Sequence, residues 1–258
     1  MTIHATAIVD PQADIDPSVE IGPFSVIGPN VRIDAGTIVK SHVVINGHTR
    51  IGKNNEIFQF ASVGEANQDK KYKGEPTELV IGDNNVIRES ATLHRGTVQD
   101  TGITRIGSGN LFMACSHVGH DCVVGDNNIL ANYVALAGHV TVGDSVILGG
   151  YTGIHQFCQI ASFSMCGMGS MVTKDIPRYV MVSGDPAKAH GMNFEGMRRR
   201  GMDKQVIRAL REAYKYIYMK GLKLDAAVQE LEQGLVQDVD EVRLFVESIK
   251  QSKRGIIR

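Results

Sequence analysis

The chain has 258 residues, with 27 basic and 28 acidic side chains and a formal net charge of −1 at neutral pH. This balance excludes a general electrostatic affinity for nucleic acid or for an anionic membrane. No apolar stretch is long enough to span a membrane, the N-terminus lacks the features of a signal peptide, and the four cysteines show no CxxC spacing. The composition predicts a cytoplasmic protein with reduced cysteines.

An aliphatic residue returns at every sixth position through most of the chain, from Ile3 to Val172, with two interruptions. Neither a helix nor a strand has this period. Ten of these residues are followed directly by glycine, and small side chains usually precede them by two positions. A hexapeptide repeat of this kind predicts a parallel β-helix. Six residues form one short strand and a corner, three sides complete a coil, and coils stack about 4.8 Å apart.

Two polar, glycine-bearing segments interrupt the repeat, at about residues 65–79 and 94–105. Both re-enter the pattern cleanly, so we interpret them as loops that leave a coil on one face. In solenoids that face is often the binding face. Asp69 and Lys71, beside Tyr72, are candidate ligand contacts in the first loop, and a tolerated surface insertion is the alternative.

After Val172 come segments rich in turn residues, which we interpret as a linker. From Asn193 the apolar residues recur at spacings of three and four, which indicates amphipathic helices. Two long helices are separated by Gly221, and a third runs from about Val239 to Gln251. The sequence thus predicts a β-helix domain over residues 1–190 and a small helical domain over residues 191–258.

The predicted helical domain is locally basic. Between Arg198 and Lys223 nine basic residues stand against two acidic ones. This bias suggests an acidic partner or a phosphate-bearing ligand, with a solvated helix face as the alternative.

Four of the nine histidines cluster in the middle of the repeat: His117, His120, His139 and His155. Stacking by one coil places His120, Gly138 and Gln156 in one column. Asp121 follows His120, and a carboxylate beside an imidazole can fix its tautomer and make it a better base. No serine or cysteine lies in a recognisable nucleophile elbow, which favours direct general-base catalysis, with the Gly138 N–H as an oxyanion donor. Zinc held by three of the histidines is the competing hypothesis.

Six motifs occur together in this chain: NQDKKYKGEPT at 67–77, HRGTVQ at 94–99, SHVGHDCVVG at 116–125, LAGHVTV at 136–142, GIHQFC at 153–158 and NFEGMRRRG at 193–201. In this combination the chain resembles, over essentially its whole length, the UDP-N-acetylglucosamine O-acyltransferases that begin lipid A synthesis in Gram-negative bacteria. The resemblance implies a left-handed parallel β-helix followed by helices, and a homotrimer with active sites between neighbouring subunits. It implies transfer of an R-3-hydroxyacyl group from the phosphopantetheine of acyl carrier protein to the 3-hydroxyl of UDP-N-acetylglucosamine, with no metal or other cofactor.

The resemblance also implies roles for individual residues. His120 is the general base, Asp121 orients it, and Gly138 donates to the oxyanion. The expected sugar-nucleotide and acyl contacts are Asp69, Lys71, His117, His139, His155 and Gln156; the expected uridine and phosphate contacts are Asn193, Glu195, Arg199 and Arg200. Met168 stands where some members have glycine and accept longer chains, so we expect a medium-chain, 3-hydroxydecanoyl-like donor. The basic tail becomes the dock for acyl carrier protein.

Three alternatives remain. The related N-acyltransferase that adds the second acyl chain typically carries a further domain before its repeats, whereas the repeat here starts at Ile3. A γ-type carbonic anhydrase would hold zinc on the same scaffold. A purely structural β-helix would not account for the polar column around His120.

Overall fold

The computed structural model describes residues 2–258, in which three sheets, parallel except for the last strand of sheet A, form the three faces of a coiled solenoid and helices follow it. Sheet A contains β1 (Thr2–Ile3), β4 (Glu20–Ile21), β7 (Ile38–Val39), β10 (Glu56–Ile57), β13 (Val86–Ile87), β16 (Leu111–Phe112), β19 (Ile129–Leu130), β22 (Ile147–Leu148), β25 (Met165–Cys166), β27 (Val180–Ser183) and β28 (Lys188–Met192). Sheet B contains β2 (Ile8–Val9), β5 (Val26–Ile27), β8 (Val44–Ile45), β11 (Ser62–Glu65), β14 (Thr92–His94), β17 (His117–Val118), β20 (Ala135–Leu136), β23 (Gly153–Ile154) and β26 (Met171–Val172). Sheet C contains β3 (Asp14–Ile15), β6 (Val31–Ile33), β9 (His48–Ile51), β12 (Glu78–Ile81), β15 (Ile103–Ile106), β18 (Val123–Val124), β21 (Thr141–Val142) and β24 (Gln159–Ile160).

Successive coils are in register, apart from a shift between β11 and β14 at Glu65. In sheet B, Val118 pairs with Leu136 and Leu136 with Ile154, one coil apart each time. All three side chains are buried, as are nearly all the aliphatic residues of the repeat. The period of six exists because each strand contributes one inward side chain, and that side chain stacks on the equivalent residue of the next coil.

The chain turns between sheets at corners of two residues, and in many corners the second residue has a positive φ. At the corner between sheets B and C, hereafter the B–C corner, these residues are Asp121 (φ 57°), His139 (φ 63°) and Phe157 (φ 67°). A left-handed residue at this place makes a tight turn that leaves the preceding residue pointing outward. The B–C corner therefore presents His120, Gly138 and Gln156 in one outward column, as predicted.

Both interruptions are loops, and both are shorter than predicted. The first loop covers residues 66–77 and the second covers residues 95–102, because strands β11, β12, β14 and β15 extend into the polar segments. They leave sheet B after successive coils and return to sheet C. Asn67 Nδ2 donates to the Gly96 carbonyl oxygen at 2.9 Å, so the two loops contact each other.

The segment that we interpreted as a linker is partly structured. Strands β27 and β28 form an antiparallel hairpin, and β27 pairs with β25 at the end of sheet A. The inward residues Val180 and Val182 are fully buried. The prediction of a linker was wrong because the turn residues of the segment mark the ends of the hairpin. The hairpin itself pairs with β25 and so covers an edge of sheet A that would otherwise be open.

Five helices follow the hairpin: α1 (Phe194–Arg199), α2 (Lys204–Tyr218), α3 (Leu224–Gln233), α4 (Leu235–Asp238) and α5 (Asp240–Lys250). The three predicted helices correspond to α2, α3 and α5, whereas α1 and α4 are too short to show a period. Leu210, Ala213 and Ile217 of α2 are buried, as the spacing predicted. No helix within residues 2–258 has both the length and the apolarity that a bilayer crossing requires.

Candidate active site

A cavity of about 520 Å³ opens at the B–C corner, beneath the two loops. It is lined by Asp69, Lys71, Thr97, Gln99, Asp100, His120, His139, Gln156 and Phe157. Five residues expected at the site from the sequence therefore lie around one cavity: Asp69, Lys71, His120, His139 and Gln156. Residues far apart in the chain meet here because coil stacking aligns the corner residues and both loops fold over them.

His120 and Asp121 form a hydrogen-bonded pair, with Nδ1 and Oδ2 separated by 2.8 Å. The Asp121 side chain is fully buried and that of His120 is mostly buried. An ionised carboxylate can only accept hydrogen bonds, so Nδ1 of His120 carries the proton in this pair. Nε2 is then the basic nitrogen of the ring. This is the arrangement that a general base requires.

Asp121 is itself held by the second loop. Its Oδ1 and Oδ2 accept from the Thr97 N–H at 3.0 and 3.1 Å, and Oδ2 also accepts from the Thr97 hydroxyl at 2.7 Å. These bonds satisfy a buried charge that would otherwise be costly. They also tie the second loop to the base, so the loop and the imidazole are positioned together.

Gly138 lies directly against the His120 ring. A Cβ atom at residue 138 would overlap Cε1 and Nε2 of His120. Glycine at position 138 therefore lets the backbone approach the His120 ring more closely than any other residue would. The Gly138 N–H donates to no acceptor within residues 2–258, as expected for the outward residue of this tight turn. Gly138 itself is buried and is not among the residues that line the cavity, so the His120 ring lies between its backbone and the solvent.

Two further histidines, His94 and His117, have side-chain pKa values that burial lowers. His94 is only 5% exposed, and burial lowers its pKa to about 4. The His94 and His117 rings meet edge-on with centroids 5.0 Å apart, and Nδ1 of His117 contacts the Thr92 hydroxyl at 2.7 Å. Burial is also the main cause that lowers the pKa of His117, and the charge of a protonated His120 nearby lowers it further.

An apolar groove of about 480 Å³ runs along the outer face of sheet B beside the cavity. His117, Ala135, Gly153 and Met171 follow one another in register along it, one coil apart. His155 also lines the groove. The residues between His117 and Met171 are small, so the groove is open over about two coils and then meets the Met171 side chain. A Cβ atom at Gly153 would lie 2.9 Å from the Met171 sulfur.

Met168 does not line this groove. It lies at the neighbouring corner, between sheets A and B, and is 78% exposed. Within one chain, Met171 is the methionine that limits the groove on sheet B.

The four residues expected to bind uridine and phosphate lie elsewhere in the same chain. Asn193 caps α1: its Oδ1 accepts from the Gly196 N–H at 3.0 Å, and its Nδ2 donates to the Phe163 carbonyl oxygen. The Arg200 guanidinium lies over the Phe163 ring, 5.3 Å from its centroid. Phe163 belongs to the corner between sheets C and A. One chain therefore does not bring α1 to the B–C corner.

The other two of these residues pair with each other on the surface of α1. Glu195 accepts from Arg199 at 3.1 Å and from Arg198 at 2.6 Å. The pKa of the Glu195 carboxyl group is lowered, mainly by the hydrogen bond from Arg198 and further by the one from Arg199.

His120, Asp121 and His139 form the one group of three possible metal ligands found in residues 2–258. Zinc needs three or four protein ligands with free electron pairs. Both oxygens of Asp121 already accept from Thr97 or His120, and Nδ1 of His139 is bonded to Asp100 at 2.8 Å. Only Nε2 of His120 and Nε2 of His139 remain free in this group. Two free nitrogens are fewer than the ligands that zinc needs, and they suit hydrogen bonding to a substrate better.

Several residues of the site are not among those predicted from the sequence. His94, Thr97, Asp100 and Phe157 were not singled out, although two of them stand in the HRGTVQ motif. The loop residues have no periodic position from which stacking could place them. Phe157 was recoverable, because it lies one coil beyond His139 and the two rings stack with centroids 4.4 Å apart.

Two family models match parts of the chain. The family model "Udp N-acetylglucosamine O-acyltransferase; Domain 2" matches residues 175–257, and the model "Bacterial transferase hexapeptide (six repeats)" matches residues 103–138. The acyl-[acyl-carrier-protein]–UDP-N-acetylglucosamine O-acyltransferase of Stutzerimonas stutzeri is 57% identical over 210 residues, which are 81% of each chain. The protein of that name in Pseudomonas entomophila is 55% identical over 80% of each chain.

Solved structures extend the likeness to the whole chain. The LpxA protein of Acinetobacter baumannii superposes with a TM-score of 0.97 at 57% identity, and the UDP-N-acetylglucosamine O-acyltransferase of Moraxella catarrhalis with a TM-score of 0.98 at 54% identity. Both alignments cover all of both chains. The predicted fold class, a left-handed parallel β-helix of hexapeptide coils followed by helices, is confirmed.

Proposed function

The chain belongs to the family of UDP-N-acetylglucosamine O-acyltransferases, and on this premise we propose how it transfers an acyl group from acyl carrier protein to UDP-N-acetylglucosamine, the first step of lipid A synthesis. The acyl group is an R-3-hydroxyacyl chain, and the accepting atom is the sugar 3-hydroxyl. The observation that carries the mechanism is the His120–Asp121 pair in a cavity beside an apolar groove.

His120 Nε2 takes the proton of the sugar hydroxyl as its oxygen attacks the thioester carbonyl carbon. The new C–O bond gives a tetrahedral intermediate, whose negative oxygen accepts from the Gly138 N–H. Collapse breaks the C–S bond, and the protonated His120 returns its proton to the leaving thiolate. The products are the ester and the free thiol of the carrier. The acyl chain arrives on phosphopantetheine, so this route uses no metal or further cofactor.

The groove on sheet B is suited to the acyl chain. It begins at His117, next to the catalytic corner, and its lining is mostly apolar. Each methylene buried there contributes about 0.8 kcal/mol, so chain length is limited only where a side chain stops it. Met171 in the groove and Met168 at the adjoining corner are the candidates, and both support a medium-chain donor.

A homotrimer would complete the site. One chain holds the base at the B–C corner and the basic α1 residues at the C–A corner, with sheet C between them. We propose that α1 of a neighbouring subunit supplies Arg199 and Arg200 to the sugar nucleotide. The basic helices then offer a surface to acyl carrier protein: Arg198, Arg199 and Lys204 are all exposed. We place the reaction in the cytoplasm, which fits four free cysteines.

The mechanism is tested by replacing the base. His120→Ala should lower kcat by a factor of about 10²–10⁴, with the KM for UDP-N-acetylglucosamine little changed, because general-base catalysis is lost while binding groups stay. His190→Ala removes an exposed histidine remote from the cavity and serves as the control. Near-normal turnover by His120→Ala, measured as acylated sugar nucleotide, would refute the assignment.

The shared site is tested by complementation. His120→Ala and Arg199→Ala subunits are each expected to be nearly inactive alone. Mixed trimers should regain activity, because some clefts receive an intact base from one subunit and an intact arginine from the next. Confirmed mixed trimers that regain no activity would show that each site is built from a single chain.

A further inference from the structure

A second carboxylate–imidazole pair lies beside the catalytic one. Nδ1 of His139 is 2.8 Å from Oδ2 of Asp100, a residue of the second loop. The His139 ring meets the His120 ring edge-on, with centroids 4.9 Å apart, and stacks on Phe157 on its other side. None of the roles assigned above uses Asp100.

Three contacts leave His139 one free ring nitrogen. The Asp100 carboxylate can only accept, so Nδ1 of His139 carries a proton and Nε2 is an acceptor. Phe157 and His120 fix the plane of the ring. Both the orientation and the tautomer of the His139 imidazole are therefore fixed. A carboxylate commonly fixes a ligand-binding histidine in the same way, by accepting from its other ring N–H.

The second loop links the two pairs. Thr97 of this loop binds the Asp121 carboxylate through its N–H and its hydroxyl, and Asp100 reaches back to His139. A Cβ atom at Gly96 would lie 2.8 Å from Oδ1 of Asp121, so the loop backbone packs closely on the first pair. One loop thus positions both imidazoles.

We propose that Asp100 is a positioning residue that holds His139 as a hydrogen-bond acceptor for the sugar nucleotide. This rests on the proposed function. The 3-hydroxyl of UDP-N-acetylglucosamine has the acetamido N–H on the next ring carbon. Two acceptor nitrogens side by side, Nε2 of His120 and Nε2 of His139, match these two neighbouring donors. His120 removes the hydroxyl proton, and His139 orients the sugar by accepting from the amide.

Asp100→Ala is the test. Without the carboxylate, His139 can move its proton to Nε2 and turn from acceptor to donor. The KM for UDP-N-acetylglucosamine should rise about ten-fold, the equivalent of one hydrogen bond, while kcat changes by less than about three-fold. Val98→Ala, at an exposed side chain of the same loop, is the matched control and should leave both constants unchanged.

A second measurement does not depend on activity. In protein labelled with ¹⁵N-histidine, NMR should show His139 with its proton on Nδ1, and Asp100→Ala should shift the proton to Nε2. An unchanged tautomer, or a KM that rises equally in Val98→Ala, would overturn the proposal. Wild-type protein that lacks acyltransferase activity but shows the tautomer change would instead refute the proposed function and keep the role of Asp100.

Discussion

At the scale of single residues, the site depends on histidines in contrasting environments. His120 and His139 each face a carboxylate at the wall of the cavity, whereas His94 is enclosed behind it and has a pKa lowered to about 4 by burial. Position in the coil decides the difference, because His94 ends a strand of sheet B and His120 stands at a corner. An imidazole whose pKa is lowered by burial destabilises the folded protein as the pH falls, because the unfolded chain binds the proton more tightly.

We expect His94 to make the protein acid-sensitive. Its pKa is lower in the folded protein than the ordinary 6.5 of the unfolded chain, so the unfolded chain binds the proton first as pH falls. The contribution of neutral His94 to the free energy of unfolding is therefore fully present above pH 6.5. It is lost as the pH falls from 6.5 to 4, which lowers the free energy of unfolding by about 3 kcal/mol. Denaturant unfolding at pH 8 and pH 5 should show a smaller difference for His94→Gln than for wild type.

The control for this measurement is His190→Gln, which changes an exposed histidine. It should leave the pH dependence as it is in wild type. If His94→Gln lost as much stability between pH 8 and pH 5 as wild type does, the neutral His94 would not be a source of acid sensitivity.

At the scale of elements, sheet A contains a ladder of buried asparagines at its corner with sheet C. Oδ1 of Asn55 accepts from the Asn85 N–H at 2.9 Å, Asn85 accepts from Asn110 at 2.9 Å, and Asn110 accepts from Asn128 at 2.8 Å. These residues occupy the place two before the inward aliphatic side chain, where most coils have a small residue. Their amides satisfy backbone groups that the turn leaves unpaired.

Asn110→Ala should interrupt the ladder and lower the free energy of unfolding by about 2–3 kcal/mol. The change leaves the buried Asn128 N–H without its acceptor, and an unsatisfied buried donor costs about 1–3 kcal/mol. A small cavity adds to the loss. Asn30→Ala, at an exposed asparagine, should change stability by less than about 0.5 kcal/mol. Equal losses from the two substitutions, measured by denaturant unfolding, would mean that the ladder is not stabilising.

The predictability of each element follows from its physical origin. Coil stacking repeats one constraint many times, so the inward positions and the column of His120, Gly138 and Gln156 were visible in the sequence. The hairpin β27–β28 and the loop residues Thr97 and Asp100 occur once each. Their places are set by contacts with distant parts of the chain, such as the bond from Thr97 to Asp121. No local pattern encodes such a contact.

At the scale of the whole molecule, the solenoid separates His120 from the α1 arginines that we propose act at the same site. The base stands on one corner, and the arginine-bearing helix α1 stands on the next, across the width of sheet C. A rigid coil cannot bend these corners together, because its neighbouring strands are fixed at about 4.8 Å by hydrogen bonds. The homotrimer that we propose would bring the two together, since the next corner of one subunit can face His120 of its neighbour.

The same geometry predicts the length of the acyl chain. From His117 to Met171 the groove on sheet B advances three coils, about 14 Å at 4.8 Å per coil. Met171 ends this path in one chain, and Met168 at the adjoining corner would close it further once a neighbour covers the corner. We therefore expect a 3-hydroxydecanoyl donor to be preferred over a 3-hydroxymyristoyl donor, whose four extra methylenes would meet the methionine side chains.

Competition between the two donors, presented together on acyl carrier protein, should reveal which methionine stops the chain. Opening the groove lets the longer donor bury its four extra methylenes, worth up to about 3 kcal/mol at 0.8 kcal/mol each. Met171→Gly and Met168→Gly should each shift the product ratio toward the longer chain, and the larger shift identifies the groove's end. Met219→Ala, at an exposed methionine of the helical region, is the control. If neither glycine variant changes the ratio, the acyl chain does not follow sheet B.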